Sequence, residues 1–313
     1  MKRLLILAGL VATGVAACAV GAPDEEAAPA QSPAAAPAEE MIVGVEQVRD
    51  NLYMLTGGGG NTGVFIGSEG VTVVDTKLAG WGQPILDAIS ELTDLPVTTI
   101  INTHTHFDHV SGNVAFGDDV EVVVHDVTAS NMDAWRPVTG LDTDLPPNVF
   151  AESNGRGLAT RTYADALTLG EGDDQIDLHF FGRAHTGGDS WVVFPALGVM
   201  HGGDAFLGKN LPLVDANNGG SGVDFPETLT AVLDNTEVDT IITGHSTLMT
   251  MDDLAEFRDF NQAIVDRVRE GKAAGQSPAA IAAAWELPER FAAYGVPEAR
   301  LAINFELIWN ELP

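Results

Sequence analysis

The sequence predicts an α/β fold. Short apolar, β-branched runs alternate with segments of helical periodicity, and the strand runs end repeatedly in Asp or His. Hydrophobic residues make up 45% of the 313-residue chain, enough for a sizeable core, and 34 glycines suit a fold with many tight turns.

The N-terminus reads as a targeting segment. Met1-Lys2-Arg3 gives a positive start, residues 4–15 an apolar stretch too short to span a bilayer, and Val15-Ala16-Ala17-Cys18 resembles a bacterial lipobox. Residues 1–18 are therefore expected to be a lipoprotein signal with Cys18 lipidated; a plain secretory signal is the alternative. Cys18 is the single cysteine, so no intramolecular disulfide forms and no thiolate is available to the mature domain as a metal ligand. Residues 19–40 are mostly Ala, Pro and Glu and read as a tether, leaving 41–313 as one domain. The expected place is the periplasmic side of a membrane, with the outer membrane favoured, and the lipid anchor the one membrane contact. A formal net charge of −30 repels phosphate backbones, which argues against a nucleic-acid partner and for a small-molecule substrate.

Within the domain, residues 42–48 and 52–55 read as strands. The loop 57–60, Gly-Gly-Gly-Gly, predicts mobility. Strands follow at 64–66 and 71–74, the latter ending in Asp75. Residues 84–92 read as an amphipathic helix with Ile85, Leu86, Ile89 and Leu92 on one face. Residues 97–102 form an apolar strand running into Thr103-His104, with a further strand at 120–124 and a helix at 127–135. Residues 136–164, with Pro137, Pro146 and Pro147, read as a long loop or lid. Strands are expected at 176–181, 191–194, 199–200 and 240–243, with a Gly/Asn-rich loop at 205–222 and a helix at 225–233. After residue 250 the chain reads as helical: Leu254, Phe257, Ile264 and Val268 share a face behind Asp252-Asp253, Ser277-Pro278 starts a second helix, and 297–312 is the last.

The chemistry concentrates in Thr103-His104-Thr105-His106-Phe107-Asp108-His109, at the end of a buried strand. In extended chain, residues two apart project to one side, so His104 and His106 can address one metal. Asp108 and His109 can address a second. Imidazole and carboxylate without thiolate suit zinc, with iron or manganese also compatible. His185, between two strands, and Asp204 and His245, at strand ends, complete a two-metal set, whereas His125, His179 and His201 read as structural.

The His-x-His-x-Asp-His run, followed in order by His185, Asp204 and His245, resembles the metallo-β-lactamase superfamily over about residues 42–250. The resemblance implies a four-layer αβ/βα sandwich with two zinc ions at one edge of the facing sheets. It puts His104, His106 and His185 on the first ion, Asp108, His109 and His245 on the second, Asp204 between them, and Asp75 in support. It implies a zinc-dependent hydrolase in which hydroxide attacks a carbonyl carbon and Asp108 orients the nucleophile. The expected substrate is a β-lactam or related cyclic amide; a lactonase or esterase is the alternative, and a non-catalytic surface binding protein the third. The 56–61 loop resembles a flexible hairpin that covers substrate in β-lactamases. Lys209 and Asn218 are candidate substrate ligands, with Asn217 beside them. Asp204 stands where the commonest β-lactamase subclass has Cys, which favours the broader hydrolase pattern.

Overall fold

The structure is a computed structural model, and it describes residues 41–141 and 144–313. The expected signal, tether and lipidated Cys18 lie outside the described residues. Among the described residues, no helix is long and apolar enough to cross a membrane.

Seven strands form the first sheet in chain order: β1 (Gly44–Arg49), β2 (Leu52–Thr56), β3 (Thr62–Ile66), β4 (Val71–Val74), β5 (Val97–Ile101), β6 (Glu121–His125) and β7 (Arg161–Tyr163). The first four pair antiparallel as a meander. From β4 onward the pairing is parallel, and the crossovers carry helices. These are α1 (Gly82–Ser90), α2 (Phe107–Val110), α3 (Asp126–Ala134) and α4 (Val149–Glu152). The second sheet contains β8 (Ala166–Leu169), β9 (Ile176–His179), β10 (Trp191–Phe194), β11 (Val199–His201) and β12 (Thr240–Ile242), in the order β12-β11-β10-β9-β8. Helix α5 (Phe225–Asn235) makes the crossover between the parallel strands β11 and β12. The chain ends in α6 (Met251–Ala273), α7 (Pro278–Ala283) and α8 (Glu298–Glu311).

Burial gives the layers. One core, including Leu52, Phe65, Val74 and Ile101 of the first sheet with Leu178, Val192, Phe194 and Ile242 of the second, is the seam between the sheets. A second core sets Val64, Val73, Ile100 and Val122 against Ile85, Ile89 and Met132 of the helices. The third sets Trp191, Met200 and Ile241 against Phe225, Phe257, Ile264 and Phe305. Three cores separate four layers, helix–sheet–sheet–helix, as expected.

Helix starts follow local chemistry. Thr250 caps α6 by accepting from Asp253 N–H at 3.3 Å, and the Asp253 carboxylate accepts from Thr250 N–H at 3.1 Å. Ser277 caps α7, with Pro278 in the first turn. Two departures appear in the stretch expected to be irregular, where α4 and β7 form.

The site lies where parallel strands end. In α/β sheets ligands sit outside the strands' carboxyl ends, where loops leave the sheet with unpaired backbone and freedom to diverge. Asp75 follows β4, the His104–His109 run follows β5, Asp204 follows β11 and His245 follows β12.

Candidate metal centre

All seven predicted donors meet at this edge. His104, His106, His185 and Asp204 form one group and Asp108, His109 and His245 another, the donor atoms within each lying within 4.8 Å of one another. Asp204 faces both groups: Oδ2 is 3.8 Å from His185 Nε2, and Oδ1 is 3.2 Å from His109 Nε2 and 3.3 Å from His245 Nε2. Asp108 Oδ2 stands 3.2 Å from His245 Nε2.

The outward nitrogens are fixed from behind. His106 Nε2–H donates to Asp215 Oδ2 at 2.8 Å, and His185 Nδ1–H to the Leu213 carbonyl at 2.7 Å. This leaves His106 Nδ1 and His185 Nε2 as lone-pair nitrogens facing each other at 3.0 Å. Two lone pairs at that distance repel unless a proton or a metal cation sits between them. His104 Nδ1 pairs with Thr103 Oγ1 at 2.9 Å, and its Nε2 is buried without a hydrogen-bond partner. Asp204 Oδ1 has none either. Buried orphan donors and acceptors are rare and costly, and these converge on one point. The residues fit a metal centre.

Asp75 supports both halves. Its Oδ2 accepts from His109 Nδ1–H at 2.7 Å and from Thr103 Oγ1–H at 2.7 Å; its Oδ1 accepts from Thr103 N–H at 2.8 Å. Through Thr103 it also orients His104. The backbone reaches this position with a left-handed φ of 62° at Asp75 and 68° at Lys77, conformations that each cost on the order of 1 kcal/mol or more outside glycine. Lys77 is fully buried, and its Nζ donates to the carbonyls of Leu55 at 2.8 Å and Gly60 at 2.5 Å. Burial pulls its pKa down to about 8 against the pull of Asp75 and Asp108.

The glycine loop differs from expectation. It is a cradle tied to the backbone beside the donors, not a free flap. Gly60 N–H donates to the Asp108 carbonyl at 3.0 Å, and Asn61 N–H to the Gly244 carbonyl at 2.6 Å. A Cβ at Gly59 would stand 2.5 Å from the Asp108 carbonyl, and one at Gly60 would collide with the His109 ring. The glycines serve close approach of backbone to ligand.

Lys209 and Asn218 do not reach the cleft as expected. Lys209 Nζ pairs with Glu256 at 2.8 Å and Asp253 at 3.5 Å, on the first turns of α6. Asn218 is buried and donates to Asp215 Oδ2 at 2.5 Å, so it steadies the carboxylate behind His106; Asn217 donates to the Pro137 carbonyl. His201 is structural: Nε2 donates to the Asn61 carbonyl at 3.2 Å, and burial brings its pKa down to about 4. The cleft above the donors, about 290 Å³, is walled by Val138, Leu141, Leu207 and Leu213, with Asn210 and Arg300 as polar members. Asp215, Thr103, Asn210 and Arg300 are the participants that sequence reasoning misses. A larger hollow of about 420 Å³ beside Phe116 and Arg156 contains none of the metal donors.

The electrostatics divide the centre. Burial and neighbouring imidazoles hold His104 well below its ordinary pKa, and burial also lowers His185. Both are neutral and ready to ligate. On the other side burial opposes charge on His245, but Asp204 and Asp108 outweigh it and raise the pKa to about 9. His109 is raised likewise by Asp204, Asp108 and Asp75 against its burial. Burial pushes Asp108 up, yet His109 and the hydrogen bond to His245 bring it down to about 2. In metal-free protein, protons on His109 and His245 thus neutralise the carboxylates, and a cation entering that half must displace them. Its affinity is expected to fall as pH drops from about 9 through 7, with protons released on binding. Calorimetric titration in two buffers of different ionisation enthalpy reads the number released; zero protons at pH 7 contradicts the assignment. Asp215→Asn keeps the shape but weakens the grip on His106, and metal affinity is expected to fall about 10–100-fold in a chelator competition assay.

The sequence pattern of the metallo-beta-lactamase superfamily matches residues 55–245, which span β2 to the last predicted donor. The chain belongs to that superfamily. Solved metallo-beta-lactamase-fold structures agree on the architecture. A metallo-beta-lactamase from Pontibacter korlensis superposes with a TM-score of 0.57 at 19% identity, covering 71% of this chain and 99% of that one. The inverting sec-alkylsulfatase Pisa1 from Pseudomonas sp. gives 0.67 at 15% identity over 86% of this chain and 50% of its own. In sequence, the 2,4-dinitroanisole O-demethylase subunit alpha of Nocardioides sp. is 28% identical over 160 residues, 50% of this chain. The chain matches 44% of that relative's length. The seven His and Asp donors lie within or at the end of the residues that match the superfamily pattern.

Proposed function

We propose that the chain is a two-zinc hydrolase that opens the carbonyl–heteroatom bond of a small, partly apolar molecule, with esters and lactones ahead of β-lactams. The carrying observation is the pair of lone-pair nitrogens, His106 Nδ1 and His185 Nε2, 3.0 Å apart beside the unpartnered His104 Nε2. Only imidazole and carboxylate donors are present, which suits zinc. His104, His106 and His185 would hold one ion, Asp108, His109 and His245 the other, and Asp204 both. Bound there, the ions supply an acidified water as nucleophile and a Lewis acid for the carbonyl oxygen.

The protein's own part is positioning. Asp108 is ionised, partly exposed and faces the cleft. It orients a water by accepting its hydrogen bond. Asp75 and Asp215 lock the imidazole tautomers. Val138, Leu141, Leu207 and Leu213 exclude water from one flank and take the apolar part of the substrate. One feature favours esters over β-lactams: Lys209 is engaged by Glu256 and Asp253 and so is not presented to a β-lactam carboxylate.

Purified residues 41–313 loaded with zinc, metal-counted and assayed on aryl esters, lactones and β-lactams test the reading. Two zinc ions per chain and ester or lactone turnover, lost in His106→Ala with the melting curve retained, support it. No metal retained at neutral pH sinks it. Turnover of β-lactams alone restores the alternative.

A further inference from the structure

We propose that Arg300 binds an anionic group of the substrate, so that the chain selects carbonyl compounds carrying a carboxylate or similar anion on one arm and an apolar group on the other. This rests on the hydrolase reading above. Arg300 lies outside the residues that match the superfamily pattern and reaches the cleft from the first turn of α8.

The chain has 45 acidic and 15 basic residues, and of the described arginines without a carboxylate partner, Arg49, Arg136, Arg267 and Arg300, it is Arg300 that borders the cleft. Arg156, Arg161, Arg183, Lys209, Arg269 and Arg290 each have one within 4.0 Å. Among the described residues Arg300 has none, although it borders the cleft and is half-buried. Its one hydrogen bond is from Nη1 to the Leu211 carbonyl at 3.2 Å. The remaining guanidinium N–H groups form a fork suited to a carboxylate.

The placement is rigid. One helical turn further, Asn304 Nδ2 donates to the Pro212 carbonyl at 2.8 Å, so α8 grips the segment that carries Leu213. Asn210, another cleft residue, adds an amide beside it. The acid that Arg300 senses electrostatically is Asp204, which is committed to metal in the proposed site. Val138, Leu141, Leu207 and Leu213 line the same cleft. A guanidinium, four aliphatic side chains and metal donors lining one cleft describe an amphiphilic, anionic acyl compound.

The test uses two esters of equal acyl length, 4-nitrophenyl hydrogen glutarate and 4-nitrophenyl valerate. Zinc-loaded wild-type protein is expected to prefer the anionic ester. Arg300→Gln lowers the anionic-to-neutral ratio of kcat/KM by about tenfold or more, chiefly through KM, and Arg300→Lys restores part of it. A ratio within twofold of wild type overturns the proposal, as does an equal fall for both esters accompanied by zinc loss, which marks a structural role. Calorimetric binding of the matched anilides, glutaranilic acid and valeranilide, separates the two readings. If neither ester is cleaved, the hydrolase reading fails, while selective loss of glutaranilate binding in Arg300→Gln still upholds the anion site. Equal loss, or no loss, rejects it.

Discussion

Asp204→Asn is expected to strip the centre of metal and lower kcat/KM by at least about a thousandfold. The substitution is nearly isosteric, so the argument concerns charge and lone pairs. Asp204 faces both halves, with Oδ1 near His109 and His245 and Oδ2 toward His185. His109 and His245 hold its carboxyl well below the ordinary range against the effect of burial, so it is an anion at any working pH. An amide brings no charge and turns an N–H toward nitrogens that must keep lone pairs for the ions. Metal analysis after dialysis should find fewer than one ion per chain, with far-ultraviolet circular dichroism retained. Two ions retained in the variant would exclude the bridging role.

Gly60→Ala is expected to disable the second half selectively. The added methyl meets the His109 ring, which cannot yield: Nδ1 is held by Asp75 at 2.7 Å, and the residue is fully buried. The backbone of Gly60 is pinned as well, by the Asp108 carbonyl on one side and Lys77 Nζ on the other. Overpacking of this kind costs about 1–3 kcal/mol. The loss should appear as a lowered melting temperature together with a drop from two ions to one. An alanine variant that keeps both ions and full turnover would show that the cradle is dispensable.

The seven donors are legible in the sequence because four crowd into six residues, Asp204 and His245 follow strands, and His185 stands between two. Their supports are not. Asp215 acts on His106 across 109 positions and sits in a Gly/Asn loop where acidic residues usually make turns. Lys209 shows the limit of spacing. It follows Asp204 by five residues, but the chain turns through Gly203–Ala205 and Gly208, at φ 75°, and the amine finds the first turns of α6. In the fold, β4 and β10 match the predicted 71–74 and 191–194, since apolar β-branched runs bounded by polar or glycine residues leave little ambiguity. Strand β8 is missed because it lies at a sheet edge, where its residues alternate between exposed and half-buried and carry little hydrophobic pattern. Strand β7, three residues long with two of them polar and exposed, gives no signal either.

The donors are also divided by the chain itself. His104, His106, Asp108 and His109 belong to the first sheet's edge, and His185, Asp204 and His245 to the second's. Neither sheet alone offers a complete coordination shell. Cations held this way would act as a clasp that closes once the two sheets have docked, and retention of metal would then be a proofreading step for assembly. A chain whose sheets begin to part should release its ions before its helices melt.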